Sequence, residues 1–136
     1  MKLLDTSAVV EIDRGNTEKV AKLDREGKHA ISQATITEMF MGLEYRHERG
    51  TKKYRGARED LEKLLSRFKV LEINRPVSIE AARIMAELKQ KGKPVNDLHD
   101  TYIAATALKN ELELLTRNIQ DFEEVENLQA TEWNEY

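Results

Sequence analysis

Apolar and polar positions follow two rhythms along the chain, one typical of short buried strands and one typical of amphipathic helices. Short apolar or alternating runs predict strands, and apolar residues three and four apart predict helices between them. We expect strands at residues 1–4, 29–32, 68–73 and 112–116, with an edge strand at 128–130. We expect helices at residues 7–14, 16–26, 35–49, 54–67, 76–91 and 96–110, with a short helical turn at 119–123.

Capping residues mark several of these helix boundaries. Thr35 and Glu38 have the T-x-x-E spacing of a capping box at the start of the third helix, and Pro76 suits the first turn of the fifth. The sixth helix begins at either Asn96 or Asp97, each a good N-cap residue. Strands that alternate with helices predict an α/β fold of three layers, in which a parallel sheet of four to five strands carries helices on both faces.

The composition fits one domain, spanning residues 1–136, that has no thiol chemistry. The length is that of a single domain, and the absence of cysteine excludes disulfides, thiolate zinc sites and cysteine nucleophiles. A net charge of -3 argues against a chain that is basic throughout. Asp5 interrupts the only apolar run near the N terminus, which therefore fits neither a signal peptide nor a membrane span. We expect a soluble, cytoplasmic protein.

Acidic residues follow the predicted strands. Ligands of parallel α/β sheets bind beyond the carboxyl ends of the strands. That rule selects side chains from four separate segments, namely Asp5, Glu38, Asp97, Asp100, Asn118 and Asp121. Clustered carboxylates repel one another unless a cation neutralises them, and oxygen ligands favour Mg²⁺ or Mn²⁺ over zinc. Such a site can activate water for hydrolysis of a nucleic-acid phosphodiester.

Each carboxylate also has a purely structural interpretation. Asp5 fits the N-cap of the first helix, Glu38 fits the acidic half of the capping box with Thr35, and Asp100 fits a carboxylate in the first turn of the sixth helix. The coincidence of all three at strand ends favours a metal site.

Four motifs, taken together, resemble those of a known family. They are LLDTS near the N terminus, TITEMFMGL around Glu38, DTYIAATAL from Asp100 and LLTRNIQDF from Leu114. In this order they make the chain similar to the PIN-domain ribonucleases, specifically the VapC-type toxins of toxin–antitoxin modules. The resemblance implies a PIN fold, Mg²⁺- or Mn²⁺-dependent endoribonuclease activity on RNA, a homodimer and inhibition by a VapB-like antitoxin.

The resemblance also implies roles for individual residues. Asp5, Glu38 and Asp100 match the family's metal-binding acidic positions, which leaves Asp97 as mainly a helix-start residue. The hydroxyl residues beside Asp5 match small residues that contact phosphate or support the metal ligands. His99 is next to Asp100 in the sequence, but a surface or packing role is the preferred interpretation.

One position departs from the family's pattern. The family often has an acidic residue directly after the Thr-Arg pair, whereas this chain has Asn118, with Asp121 three residues further on. An amide oxygen can also reach a metal, so Asn118 or Asp121 is expected to complete the catalytic set. The departure leaves an alternative open, a non-catalytic PIN-like module that binds RNA or an antitoxin. A phosphotransferase with Asp5 as nucleophile fits less well, because Ser7 stands where haloacid-dehalogenase-like enzymes have a second Asp.

Residues 46–58 contain six basic side chains, with Tyr54 among them and Glu48 as the single acid. The segment fits an RNA-contacting patch in which Tyr54 stacks on a base, and it equally fits a solvated loop between helices. The nearby apolar side chains of Phe40, Leu43 and Tyr45 fit either the core or a surface for a partner helix.

Overall fold

The chain folds as a parallel sheet between two helical layers in the computed structural model, which describes residues 1–94 and 97–136. Within these residues the five strands are β1 (Leu3–Leu4), β2 (Ala30–Ser32), β3 (Lys69–Leu71), β4 (Leu114–Thr116) and β5 (Ala130–Glu132). The six α-helices of the same residues are α1 (Thr6–Asp13), α2 (Thr17–Glu26), α3 (Gln33–Arg46), α4 (Lys52–Leu65), α5 (Arg75–Gln90) and α6 (Leu98–Lys109). None of these helices is long and apolar enough to cross a lipid bilayer. The predicted fold class is confirmed.

The strands lie in the order β3-β2-β1-β4-β5, and all pairs are parallel. The chain runs outward from β1 through β2 to β3 and then crosses to β4 on the other side of β1. The loops after β1 and β4 therefore diverge, and such a reversal is where parallel sheets open a crevice for ligands. Asp5, directly after β1, lies at the centre of this edge.

Side chains of successive strand residues enter two separate cores. Leu3 packs on the side covered by α5 and α6, whereas Leu4 packs on the side covered by α1 to α4. The same alternation continues in β2 and β4 with the pairs Ala30 and Ile31, and Leu114 and Leu115. All six side chains are fully buried, as expected for the centre of a sheet that is covered on both faces. The three-layer arrangement holds every strand end at one edge.

The predicted capping box at the start of α3 is wrong. The helix begins two residues earlier, at Gln33, because Ser32 ends β2 with an extended backbone and its hydroxyl accepts a hydrogen bond from Ala34 N–H at 3.0 Å. Thr35 is fully buried within the first turn. Glu38 is thereby released from any capping role.

The start of α6 agrees with one of the two predicted caps. The Asp97 side chain accepts a hydrogen bond from His99 N–H at 2.8 Å and is the N-cap. The other candidate cap, Asn96, lies outside the described residues.

The C-terminal end differs from the predicted edge strand at 128–130. The strand β5 begins at Ala130 and leads into a short 3₁₀ turn, Trp133–Glu135. Trp133 is 2% exposed and joins the core on the α1 to α4 side, with Lys19 Nζ lying 5.4 Å from the centre of its ring. The alternating pattern marks this strand weakly, because its three residues are all only half-buried.

Candidate metal centre

Asp5 lies at the middle of the sheet edge and has two structural tasks. Its Oδ1 caps α1 by accepting a hydrogen bond from Ala8 N–H at 2.9 Å, and the same oxygen accepts one from Ser7 Oγ at 2.6 Å. Thr116 Oγ1 donates to Oδ2 at 2.5 Å. The side chain is only 3% exposed, and burial raises the pKa of its carboxyl despite these hydrogen bonds. The helix-capping interpretation of Asp5 is confirmed.

The two hydroxyls that contact Asp5 also tie β4 to β1. Ser7 Oγ accepts a hydrogen bond from Arg117 N–H at 2.9 Å, and Thr116 Oγ1 accepts one from Asn118 N–H at 2.9 Å. Each hydroxyl donates its one proton to Asp5 and accepts from the backbone, so its orientation is determined. The carboxylate of Asp5 is consequently held in one direction by a hydroxyl of α1 and a hydroxyl of β4.

Glu38 lies in the second turn of α3 and contacts the residue after Asp5. Its Oε1 accepts a hydrogen bond from Thr6 Oγ1 at 2.7 Å, and Thr6 Oγ1 also lies 3.3 Å from Thr35 Oγ1. Burial raises the pKa of Glu38, although the Thr6 hydrogen bond opposes the shift. Thr6 therefore joins the start of α1 to α3 and points the Glu38 carboxylate toward the same edge as Asp5.

Asp100 occupies the first turn of α6 and is half-buried. Burial raises the pKa of Asp100 to about 7, helped by negative charge on four neighbouring carboxylates, those of Asp97, Asp121, Glu38 and Asp5. The positive end of a helix dipole stabilises an anion by about 0.3–1 kcal/mol. This is too little to offset the burial and the repulsion. The helix N terminus alone therefore does not explain why a carboxylate is placed here.

Asp97 and His99 come closer to the site than the sequence suggests. One ligand atom each from Asp97, His99 and Glu38 lies within 4.8 Å of the others, and His99 Nδ1 is 3.5 Å from Asp97 Oδ1. The surface or packing role preferred for His99 misses this proximity to Glu38. In the sequence, the one feature that suggests a role for His99 in the site is its position between Asp97 and Asp100 at the start of a helix.

Asp121 and Asn118 are placed differently by the short 3₁₀ turn after β4. Asp121 lines a cleft of about 340 Å³ together with Asp97 and Asp100. Asn118 starts the turn, is exposed and makes no capping hydrogen bond with its side chain. The described lining of the cleft includes Asp121 but not Asn118. Of these two residues, it is Asp121 whose negative charge helps to raise the pKa of Asp100.

The donor set fits a hard divalent cation. Carboxylates from the N-cap of α1, from α3, from α6 and from the turn after β4 meet at one edge. Within residues 1–94 and 97–136 no salt bridge joins Asp5, Glu38 or Asp100 to a basic side chain. Arg117, which directly follows β4, pairs with Glu11 instead. Oxygen-rich sites of this kind bind Mg²⁺ or Mn²⁺.

The predicted role of Tyr54 as a base-stacking residue is wrong. Its ring is 7% exposed and packs in the core on the α1 to α4 side, while its hydroxyl donates to Glu44 Oε1 at 2.6 Å. The ring is one of the apolar residues by which α4 packs on the domain. A buried ring has no face available for a nucleobase.

Comparison with known proteins agrees with the geometry. The PIN domain family model matches residues 2–128. The chain belongs to the PIN-domain family. A PIN-domain relative, ribonuclease VapC2 of Haemophilus influenzae, is 30% identical over 96% of both chains. The tRNA(fMet)-specific endonuclease VapC of Shigella flexneri is 31% identical over 80% of this chain and 78% of its own.

Solved PIN-domain structures have the same architecture. VapBC from Salmonella typhimurium, solved bound to DNA, superposes with a TM-score of 0.83 at 26% identity, over 98% of this chain and 99% of the other. FitAcB from Neisseria gonorrhoeae superposes with a TM-score of 0.82 at 30% identity, over all of both chains. The resemblance to VapC-type PIN domains that the four motifs indicate is confirmed.

Proposed function

We propose that the chain is an endoribonuclease that depends on Mg²⁺ or Mn²⁺ and acts as the toxin of a toxin–antitoxin pair. The observation that carries this proposal is the convergence of Asp5, Glu38 and Asp100 at the sheet edge of a PIN domain, where burial, and after it the repulsion between neighbouring carboxylates, raises the pKa of Asp100 to about 7. A cation is the group that relieves such repulsion. The relatives named above are ribonucleases, and a phosphodiester is the substrate that such a site attacks.

The protein's own residues have distinct tasks in this mechanism. Asp5, Glu38 and Asp100 are the metal ligands, and Asp121 completes the catalytic set because it shares the cleft with Asp100. A bound Mg²⁺ or Mn²⁺ supplies an activated water and stabilises negative charge on the scissile phosphate. Asp100, whose pKa is raised to about 7 without a metal, would be in its ionised form as a ligand. Thr116 holds Asp5 in place, so that the ligand set keeps its shape.

The partners follow from the relatives. One of the solved neighbours reported above is VapBC from Salmonella typhimurium, and we infer that this chain binds RNA as substrate and a VapB-like antitoxin as inhibitor. A homodimer remains a prediction, and light scattering of the purified protein tests it.

The test uses isosteric changes at the ligands. Asp5→Asn and Asp100→Asn should each abolish RNA cleavage in the presence of Mg²⁺ or Mn²⁺ and should abolish toxicity in cells, while circular dichroism shows a folded protein. Asp60→Asn is the matched control, because Asp60 is an exposed carboxylate on α4. Cleavage that persists in either ligand variant would refute the assignment.

The alternative of a non-catalytic binding module is not favoured, because the carboxylates of the site are present and the relatives are named as ribonucleases. A metal titration separates the two functions. An enzyme shortens RNA when Mg²⁺ or Mn²⁺ is added and stops when a chelator removes it. A binding module retains RNA of full length under both conditions.

A further inference from the structure

One face of α3 connects the metal centre to an exposed aromatic side chain. Tyr45 follows Glu38 by seven residues, which is close to two full helical turns, so both side chains lie on the same face, about 10 Å apart along the axis. Tyr45 is 80% exposed. Gly42 lies between them on this face and leaves the helix backbone open to a ligand. The face therefore leads from the metal centre to the end of α3.

This path ends at a strongly basic segment, residues 46–58, which runs from the last residue of α3 through the turn into the first turns of α4. Residues 46–58 carry six Lys and Arg side chains and one acid, a net charge of +5, whereas the other residues share a net charge of -8 in a chain of -3. Four of the cations are exposed and form no salt bridge within the part of the chain that the structure describes, namely Arg46, Lys52, Lys53 and Arg55. Free positive charge is thus concentrated beside Tyr45.

The backbone of the turn is held in place by hydrogen bonds. Glu44 accepts hydrogen bonds from the Arg49 guanidinium at 2.8–3.0 Å and from the Tyr54 hydroxyl, and these partners lower the pKa of Glu44 to about 2. Arg55 donates to the Gly50 carbonyl at 3.0 Å. The contact of Arg55 is with a neutral group, so its positive charge stays available. These contacts fix the start of α4, which carries Lys52, Lys53 and Arg55, relative to the end of α3.

We propose that this surface binds the single-stranded RNA that leads into the metal centre. Tyr45 stacks on a base, and the free cations Arg46, Lys52, Lys53 and Arg55 bind phosphates. A groove of positive charge combined with an exposed aromatic ring is the pattern by which proteins hold single strands without reading their sequence. The assignment of the polyanion as RNA substrate rests on the proposed function, because the surface continues from the residues that would cleave the phosphodiester.

The charge test measures RNA binding in a chelator, where cleavage does not interfere. A labelled single-stranded oligouridylate of about 12 nucleotides, a typical site size for a single-strand binder, is titrated with wild type and with Lys52→Glu/Lys53→Glu. Affinity at low salt should fall at least about tenfold, and the slope of log K against log salt should decrease by about 1.4, since each lost phosphate contact accounts for about 0.7.

A matched control removes the effect of total charge. Lys28→Glu/Lys109→Glu changes the net charge by the same amount at exposed positions, with Lys28 before β2 at the opposite edge of the sheet and Lys109 at the far end of α6. We expect the RNA affinity of the control to stay within about twofold of the wild-type affinity, because salt screens charges that lie far from the bound RNA. Equal losses in both double variants would overturn the proposal.

The stacking test uses two variants of Tyr45. Tyr45→Ala should weaken binding about tenfold, the usual effect of removing one stacked aromatic ring, whereas Tyr45→Phe keeps the ring and should bind as wild type does. Wild-type affinity in Tyr45→Ala would overturn the stacking role.

The same variants separate RNA from a protein occupant and from a failure of the proposed function. If the Lys52/Lys53 variant binds RNA as the control does but changes the molar mass in light scattering, the surface is an interface between copies of the chain and the proposal is wrong. If wild type never cleaves RNA but the binding pattern holds, the endoribonuclease assignment fails while the RNA-binding surface stands.

Discussion

Replacing Asp100 by Asn should make the metal-free protein more stable and at the same time remove its response to divalent cations. In the metal-free site the Asp100 carboxylate is half-buried among other carboxylates, which raises its pKa from 3.8 to about 7. An uncharged amide of the same shape does not carry this penalty. The cost of assembling a metal site should therefore become visible as a gain in stability when one ligand is neutralised.

The size of the gain follows from the pKa shift. A shift of about three units corresponds to about 4 kcal/mol at 1.36 kcal/mol per unit, which is an upper limit for the difference between the charged and neutral forms. Solvent screens a carboxylate that is only half-buried, so we expect about half of this, or about 2 kcal/mol. For a domain of this size about 1 kcal/mol changes the melting temperature by about 3 °C. The expected increase is about 6 °C.

The pH dependence has a definite sign. Because the folded state keeps the Asp100 proton to higher pH than the unfolded chain does, the contribution of this proton to stability is complete below about pH 4 and is lost as the pH rises to about 7. The Asn variant has no such proton. The difference in the free energy of unfolding between variant and wild type should therefore grow from pH 4 to pH 7 and stay constant above it.

The assay is thermal unfolding followed by circular dichroism, in a chelator and in excess Mg²⁺ or Mn²⁺. At pH 8 the metal-free variant should melt about 6 °C above wild type, and at pH 4.5 the two should nearly coincide. Metal should raise the melting temperature of wild type and of Asp60→Asn but not that of Asp100→Asn. A variant that is no more stable than wild type at pH 8 in the chelator, or one that metal stabilises equally, would refute the reasoning.

Three further substitutions test the supporting structure. Thr116→Val removes the hydroxyl that donates to Asp5 and accepts from Asn118 N–H. The change should lower the free energy of unfolding, measured in urea, by about 1–3 kcal/mol and should weaken Mn²⁺ binding. Unchanged Mn²⁺ affinity would contradict a positioning role for Thr116. His29→Ala should cost about 2–3 kcal/mol, because His29 accepts from Lys2 N–H and bonds the Leu23 carbonyl, each at 2.9 Å. Trp133→Ala should cost about 3–5 kcal/mol in the same urea titration, and a loss under 1 kcal/mol would show that the ring is not part of the core.

The parts of the fold that sequence predicts well are those in which local and long-range preferences agree. Asp5 follows an apolar strand and precedes an amphipathic run, so its capping position is readable from the order of residues alone. The four motifs add the family, and with it the expectation that residues distant in sequence meet at one edge. The periodicity of helices and strands alone does not show that these distant residues meet.

The errors share a physical cause, since each depends on how an element packs against its neighbours in the fold. Thr35 has the spacing of a cap, but Ser32 at the end of β2 takes that position and Thr35 faces Thr6 of another helix. Tyr54 lies within the basic segment 46–58 and Tyr45 directly precedes it, and only the packing of α3 and α4 determines that Tyr54 is buried and Tyr45 is exposed. The periodicity of a sequence describes one helix at a time and does not show which of its faces neighbouring elements will cover.

The double task of Asp5 has a consequence for genetics. In cells that express the proposed toxin, mutations that restore growth can fall at any metal ligand, but their effect on protein abundance should differ. Substitutions at Asp100 relieve repulsion and leave an inactive, well-folded protein that accumulates. Substitutions at Asp5 other than Asn also remove the cap of α1 and the acceptor of two hydroxyls, so survivors of that class should contain little of the protein. An immunoblot of the surviving cells would thus distinguish substitutions at Asp100 from substitutions at Asp5.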